Sequence, residues 1–137
     1  MKKIGFTSGV FDMFHIGHLN LINNAKKQCD YLIVGVNSDE LMQSYKEKYP
    51  VIPFAERIAI VAALRNVDET IRVDTLDKES IWQIKPFDLL FIGDDWKGTP
   101  RWNETERVML THNVKTIYLP YTGNTNSTLL REKLIMR

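Results

Sequence analysis

The sequence predicts a single-domain α/β fold built on a five-stranded parallel sheet with helices on both faces. Its 137 residues fit one ordinary domain with one sizeable core. Short apolar runs rich in β-branched residues alternate along the chain with segments of helical periodicity. Because such alternation requires right-handed crossovers between parallel strands, the sheet is expected to be open and covered on both sides.

The predicted elements run the length of the chain. Strands are expected at residues 4–7, 31–36, 70–73, 89–92 and 114–119, and helices at residues 17–28, 39–48, 54–65, 78–84, 103–112 and 127–134. Pro53 suits a helix start at Phe54, and Asn126 or Ser127 suits the cap of the last helix. Neither a repeat nor a linker interrupts this pattern, so residues 1–137 are expected to form one domain.

The expected strand order predicts where a ligand binds. Doubly wound sheets of the Rossmann-like type commonly have the order 3-2-1-4-5 and bind ligands beyond the carboxyl ends of the strands, where the order reverses. Strands 1, 4 and 5 are neighbours in this order. The unusual polar motifs of the sequence follow those strands, at residues 8–18, 93–96 and 121–128. We therefore expect the three motifs to surround one crevice.

The overall composition argues against large charged partners. Lys plus Arg number 18 and Asp plus Glu number 17, a net charge of +1, so no global field favours nucleic acid or a membrane surface. The longest apolar run, residues 58–64, is far below membrane-spanning length. A lone Cys29 cannot form an internal disulfide, which suits a reducing compartment. We expect a cytoplasmic protein that holds small anions locally.

The first motif places two of the three histidines, His15 and His18, at the start of a predicted helix. Unpaired N–H groups and the helix dipole favour phosphate there, and Gly17 lets the backbone approach closely. The imidazoles can donate hydrogen bonds to phosphate oxygens and to a departing pyrophosphate. Helix capping and core packing are the alternatives for these histidines. A metal site is poorly supported, since neither Cys nor Glu stands nearby at ligand spacing, and we predict no metal ligands.

The second motif follows strand 4. Asp94 and Asp95 come directly after a buried strand, where carboxylates bind ribose hydroxyls or Mg²⁺, or cap the following turn. Trp96, Lys97 and Arg101 add aromatic and basic character beside them. We expect this segment to border the crevice.

The third motif, between strand 5 and the last predicted helix, is rich in hydroxyl and amide side chains. Its residues 121–128 run Tyr-Thr-Gly-Asn-Thr-Asn-Ser-Thr. Ser127 and Thr128 stand at a helix N-terminus and suit a second phosphate group. Neither a Walker A string nor G-x-G-x-x-G is present, which argues against P-loop and dinucleotide-binding proteins.

The string G-x-F-D-x-x-H-x-G-H at residues 9–18 resembles the signature of the cytidylyltransferase-like branch of the HxGH nucleotidyltransferases. The resemblance continues at residues 37–40, 56–57, 67–69 and 93–96, and so spans nearly the whole chain. It implies transfer of a cytidylyl group from CTP to a small phosphorylated alcohol, with Mg²⁺ bound to the triphosphate. It also implies a homodimer.

The implied reaction is a direct in-line displacement without a covalent enzyme intermediate. The acceptor's phosphate oxygen would attack the α-phosphorus of CTP, and pyrophosphate would leave. Because the attacking phosphate is already anionic, catalysis needs positioning and charge neutralisation rather than a general base.

The resemblance also implies roles for individual residues. His15 and His18 would hold the α- and β-phosphates, and one of Lys46 and Lys48 would reach the triphosphate and the attacking phosphate. Asp12 is expected to order the turn. The expected nucleotide-binding residues are Gly9, Val10, Phe11, Gly17, Asp94, Tyr121, Ser127 and Thr128, and the expected acceptor-binding residues are Arg57, Trp96 and Lys97.

Within this family, the Gly-Asp-Asp-Trp string and the chain length most resemble members that act on glycerol 3-phosphate. That resemblance implies glycerol 3-phosphate as acceptor and CDP-glycerol as product. The alternatives are ethanolamine, choline or pentitol phosphate as acceptor, an adenylyltransferase for a heptose phosphate, phosphopantetheine or a flavin precursor, and a nucleotide-binding sensor or assembly subunit without catalysis. The third motif departs from the family, with Tyr121 where an arginine is common and Asn-Thr-Asn at 124–126 in place of Gly-Ile-Ser. Base and acceptor specificity are the properties that this departure affects.

Overall fold

The computed structural model describes residues 2–120, 130 and 132–134. The strands are β1 (Ile4–Gly9), β2 (Tyr31–Asn37), β3 (Glu69–Val73), β4 (Leu89–Gly93) and β5 (Lys115–Leu119). The helices are α1 (Ile16–Lys26), α2 (Asp39–Lys46), α3 (Phe54–Ala62), α4 (Lys78–Ile84) and α5 (Pro100–Leu110), with a 3₁₀ turn at Asp94–Trp96.

All five strands form one parallel sheet in the order β3-β2-β1-β4-β5. Ile4 of β1 lies opposite Tyr31 of β2, and Leu89 of β4 lies opposite Lys115 of β5. The predicted doubly wound fold and its strand order are therefore confirmed. The order reverses beside β1, so the carboxyl ends of β1 and β4 flank the expected crevice.

A hydrophobic core lies on each face of the sheet. On one face, Phe6 and Leu90 pack with Ile81 of α4 and with Trp102 and Met109 of α5. These contacts place α4 and α5 on the same side of the sheet.

On the opposite face, Val34 and Phe91 pack with Ile22 of α1 and Val61 of α3. Successive side chains of a strand point to opposite faces, which is why Leu90 and Phe91 belong to different cores. Both faces are therefore covered by helices, as predicted. No helix in the described part of the chain is long and apolar enough to cross a membrane.

Several helix ends differ from the prediction because local capping sets them. α2 stops at Lys46, two residues early, since Glu47 takes a left-handed backbone conformation with φ 55°. α5 starts at Pro100, three residues early, because Thr99 caps it by accepting the Trp102 N–H at 3.4 Å.

Two other helices are shorter than predicted, since α1 ends at Lys26 and α3 at Ala62. Of the sixth predicted helix, Leu130 and residues 132–134 are helical. The rest of that helix lies outside the described residues.

Candidate active site

A cavity of about 450 Å³ opens at the carboxyl ends of β1, β2 and β4. Its volume is in the range of small-molecule sites. Elements from both faces of the sheet contribute to its walls, including the start of α1, the end of α2 and the start of α5. The structure brings together there nine residues predicted for the site: Gly9, Val10, Phe11, His15, Gly17, His18, Lys46, Lys48 and Trp96.

His15 and His18 cap helix α1 with their own side chains. His15 Nδ1 accepts the Gly17 N–H at 3.1 Å, and His18 Nδ1 accepts the His15 N–H at 3.3 Å. The two rings stack with centroids 3.9 Å apart. The sequence alternatives of capping and phosphate binding are thus compatible, because each imidazole uses one nitrogen for the cap and retains the other.

The capping bonds fix the tautomer of both imidazoles. A neutral ring that accepts at Nδ1 carries its proton on Nε2. His15 Nε2 is buried and has no hydrogen-bond partner among the described residues. A buried donor without a partner is costly, and a phosphate oxygen in the cavity would satisfy it.

Both histidines are held in the neutral form. Burial lowers the pKa of His18 to about 4, with a further decrease from His15 and a smaller opposing effect of Asp12. Burial also lowers the pKa of His15. At neutral pH the pair therefore offers two oriented Nε2–H donors rather than two mobile positive charges.

The stability of the fold is expected to decline in acid because of His18. Its folded pKa is about 4 and its ordinary pKa is 6.5, so between these values the unfolded chain binds a proton that the folded chain does not. The free energy of unfolding should therefore fall by about 3 kcal/mol as the pH decreases from about 6.5 to about 4. Urea denaturation at several pH values measures this slope. His18→Asn should flatten it, and an unchanged slope in that variant would contradict the assignment.

The Asp12 carboxylate connects the turn before α1 to the loop between α2 and α3 by hydrogen bonds. It is 3% exposed, and its two carboxylate oxygens accept the Val51 and Ile52 N–H groups at 2.8 and 2.9 Å. Phe11 and Met13 on either side have left-handed backbones, with φ of 53° and 49°, a conformation that costs energy in residues other than glycine. Asp12 thus orders the turn, as the sequence suggested.

Arg57 does not border the cavity, although it was predicted to bind the acceptor. It is 1% exposed. Its guanidinium donates to the carbonyls of Val10, Asn37 and Ile52 at 2.6, 2.8 and 2.8 Å and pairs with Asp39 at 2.6 Å. The side chain therefore connects the loop after β1, the end of β2 and the loop between α2 and α3 at the carboxyl edge of the sheet.

Lys46 and Lys48 both border the cavity from the end of α2 and the residues after it. Both are exposed, and the Lys46 ammonium lies 5.7 Å from the centre of the Tyr45 ring. Long, exposed cationic side chains at the rim can follow a phosphate without a large desolvation cost. Both lysines stay candidates for the predicted role.

The Gly-Asp-Asp-Trp segment contributes different residues from those predicted. Asp94 is exposed and does not border the cavity, whereas Asp95 does, because the 3₁₀ turn rotates successive side chains away from each other. Trp96 borders the cavity with 42% exposure. Lys97 instead lies over the ring of Tyr118, at 5.6 Å, and does not border the cavity.

Sequence reasoning missed several residues that border the cavity, among them Asn37, Tyr45 and Lys78. Asn37 ends a buried strand that pairs with the strand before the first motif. Its place in the sequence could therefore have identified it as a site residue. Lys78 follows Asp77 at a helix start, where a lysine is ordinarily solvated, so the sequence carried no signal for it. Tyr121, Ser127, Thr128 and the segment 124–126 lie outside the described residues.

The described residues contain no group of three or more His, Cys, Asp or Glu side chains that would hold a metal ion. Asp12 and Asp95 are the carboxylates among the residues that border the cavity, and both oxygens of Asp12 accept backbone N–H groups. This donor set fits Mg²⁺ that is held mainly by phosphate oxygens, with Asp95 as the protein carboxylate beside it.

Comparisons with known proteins identify the family of the chain. The chain matches the family described as Cytidylyltransferase-like over residues 6–133. It is 32% identical to the glycerol-3-phosphate cytidylyltransferase of Bacillus subtilis strain 168 and 34% identical to the one from Bacillus spizizenii, in each case over 98% of both chains. It is 37% identical to the bifunctional protein HldE of Granulibacter bethesdensis over 69% of this chain and 20% of that protein.

Two solved structures resemble the fold. The lipopolysaccharide core biosynthesis protein of Thermoplasma volcanium superposes with a TM-score of 0.75 at 22% identity, covering 91% of this chain and 100% of that chain. Pantoate-beta-alanine ligase from Francisella tularensis gives a TM-score of 0.64 at 20% identity, covering 95% and 68%. At these identities the likeness concerns the fold alone.

Proposed function

We propose that this chain transfers the cytidylyl group of CTP to glycerol 3-phosphate. The chain belongs to the cytidylyltransferase-like family and is therefore a nucleotidyltransferase. The observation that carries the proposal is the histidine pair, whose Nδ1 atoms accept backbone N–H groups and whose Nε2–H groups are left to donate to phosphate. The substrate pair is supported by the two relatives named glycerol-3-phosphate cytidylyltransferase, which match over 98% of this chain.

The proposed reaction exchanges one phosphorus–oxygen bond for another. A phosphate oxygen of glycerol 3-phosphate forms a bond to the α-phosphorus of CTP, and the bond between that phosphorus and the α–β bridging oxygen breaks. Pyrophosphate leaves with the electron pair. His15 and His18 donate to phosphate oxygens whose charge grows in the transition state, and Lys46 or Lys48 neutralises the approaching phosphate.

Mg²⁺ and a homodimer are parts of the proposal that stay predictions. Mg²⁺ bound to the triphosphate supplies charge neutralisation for the leaving pyrophosphate. Asp95 borders the cavity and is the described carboxylate best suited to contact that ion. Omission of Mg²⁺ should abolish turnover, and light scattering on the purified protein should give twice the chain mass.

Pyrophosphate release is the experiment that tests the proposed function. CTP, ATP, GTP and UTP should each be combined with glycerol 3-phosphate, ethanolamine phosphate, choline phosphate, ribitol 5-phosphate and a heptose 1-phosphate. We expect turnover with CTP plus glycerol 3-phosphate and none with the other nucleotides. Turnover of ATP with the heptose phosphate would replace the substrates, and nucleotide binding without release for any pair would favour the sensor or assembly alternative.

A further inference from the structure

The end of the sheet opposite the cavity is basic. Because the five strands are parallel, their amino ends lie together there with the segments that lead into them. We call this surface the amino edge and define it as residues 2–3, 26–31, 63–69, 84–89 and 110–115. Its lysines and arginines are Lys2, Lys3, Lys26, Lys27, Arg65, Lys85 and Lys115. Its carboxylates are fewer, and they are Asp30, Asp68, Glu69 and Asp88.

Two of these carboxylates are paired with lysines of the same edge. Asp68 lies 2.7 Å from the Lys26 ammonium, and Glu69 lies 2.6 Å from the Lys85 ammonium. The remaining cations of the amino edge outnumber the remaining carboxylates. The net charge of the whole chain is only +1, so the rest of the chain is net negative. The molecule is therefore electrically asymmetric, although its composition is balanced.

The other two carboxylates are occupied by backbone groups. Asp30 accepts the Lys3 N–H at 2.8 Å. Asp88 accepts the Ile4 N–H at 2.9 Å. The side chains of Lys3 and Lys115 are exposed and form no ion pair with any residue that the structure describes. Their charges therefore face solvent at the start of β1 and of β5.

Two large apolar side chains project from the same edge. Ile84, at the end of α4, is 86% exposed, and Leu110, at the end of α5, is 63% exposed. The ends of the two helices pack together, since Trp82 stacks on His112 with ring centroids 4.2 Å apart. The amino edge thus combines free cations with exposed apolar groups.

Fold stability accounts for only part of this arrangement. Cations at the carboxyl end of a helix interact favourably with its dipole, which explains Lys26 and Lys27 at the end of α1 and Lys85 at the end of α4. Lys3 and Lys115 stand at the starts of strands instead. A helix dipole explains neither of them, and it does not explain exposed apolar side chains.

A membrane surface fits this combination better than a protein does. Lysine is depleted in protein–protein interfaces, whereas it is the commonest charged residue of the amino edge. Anionic lipid headgroups attract lysines close to the membrane surface, and apolar side chains insert where headgroups meet acyl chains. The cavity opens at the opposite edge, so a membrane at the amino edge leaves it open to solution.

We propose that the amino edge docks reversibly on a membrane surface rich in anionic phospholipids. Lys3 and Lys115 contact the headgroups in this arrangement, and Ile84 and Leu110 insert between them. The attachment is peripheral, and it is independent of which substrates the cavity binds.

Sedimentation with lipid vesicles tests the proposal. We expect the purified protein to bind vesicles of equal parts phosphatidylcholine and phosphatidylglycerol and not vesicles of phosphatidylcholine alone. Each lysine near an anionic surface contributes about 5-fold in affinity, so the double variant Lys3→Gln with Lys115→Gln should bind about 25-fold more weakly. Leu110→Ser should bind about 3-fold to 10-fold more weakly, because it loses an inserted apolar group.

Matched controls remove the same groups from the opposite edge. Lys46→Gln with Lys48→Gln deletes two exposed lysines beside the cavity, and Tyr49→Ser deletes an apolar side chain that is 64% exposed. Neither control should change vesicle binding. Equal losses in the two lysine variants would show a general charge effect, and equal binding to both kinds of vesicle would show that headgroup charge is irrelevant. Either result would overturn the proposal.

A second binding partner separates a membrane from an acidic protein. Tighter binding to polyglutamate than to the anionic vesicles, with no effect of Leu110→Ser, would identify an acidic protein segment as the partner and would overturn the proposal. The vesicle experiment contains no nucleotide, so its result does not depend on the proposed substrates. Pyrophosphate release in solution should be the same for Lys3→Gln with Lys115→Gln as for the wild type, and a loss there would mean that these lysines serve the reaction instead.

Discussion

Replacing His15 by Asn is expected to lower kcat by about 10²-fold to 10³-fold and to leave the free energy of unfolding nearly unchanged. An Asn side-chain oxygen can accept the Gly17 N–H in place of His15 Nδ1, because Asn is a good N-cap residue. It has no group that reaches the position of Nε2–H. The variant therefore removes the phosphate donor and keeps the cap, and kinetics combined with urea denaturation measure the two effects separately.

Two further variants are controls for this result. His15→Ala removes cap and donor together, so it should lose the same activity and also about 1 kcal/mol of stability. His112→Asn replaces the third histidine, which pairs with Glu79 at 2.7 Å and does not border the cavity, and should leave kcat unchanged. Wild-type kcat in His15→Asn would mean that the imidazole serves the helix alone.

Replacing Arg57 by Met is expected to destabilise the fold by about 3 to 5 kcal/mol. The change leaves the carbonyls of Val10, Asn37 and Ile52 without the donor that they share and removes the ion-pair partner of Asp39. Domains of this size have a total stability of about 5 to 15 kcal/mol, so the loss is a large fraction. Chemical denaturation measures it, and Arg57→Lys should be intermediate, since one ammonium cannot span all four acceptors.

Arg107→Met is the control for that prediction. Arg107 also pairs with an acidic residue, Glu104, but its side chain is 66% exposed. An exposed pair of this kind contributes about 0 to 1 kcal/mol. Equal losses in Arg107→Met and Arg57→Met would contradict the stabilising role of the buried Arg57 network.

The fold was predictable because its signals are local. Strands such as β2 and β4 are short apolar runs, and their alternation with helices predicts parallel strands. The helix ends were less predictable, since they depend on the backbone of single residues. Glu47 ends α2 by adopting a left-handed conformation, which residue type alone does not indicate.

The sequence identified the site residues that combine a suitable side chain with a position at the end of a predicted strand. His15 and His18 stand in a recognisable string at a strand–helix junction, and the structure brings both to the cavity. The buried position of Arg57 was harder to predict. It depends on backbone carbonyls of residues far apart in the sequence, and every residue type has a backbone carbonyl. Lys78 was missed because its burial depends on the packing of α4 beside Trp102.

The most direct test of the central claim follows an oxygen isotope through the reaction. Glycerol 3-phosphate labelled with ¹⁸O in its phosphate is incubated with CTP, Mg²⁺ and the wild-type protein. Mass spectrometry then measures the ¹⁸O content of each product. In-line attack by the acceptor phosphate predicts that all of the label appears in CDP-glycerol and none in pyrophosphate. Consumption of CTP that yields CMP, or any product without the labelled phosphate, would contradict nucleotidyl transfer to a phosphorylated alcohol.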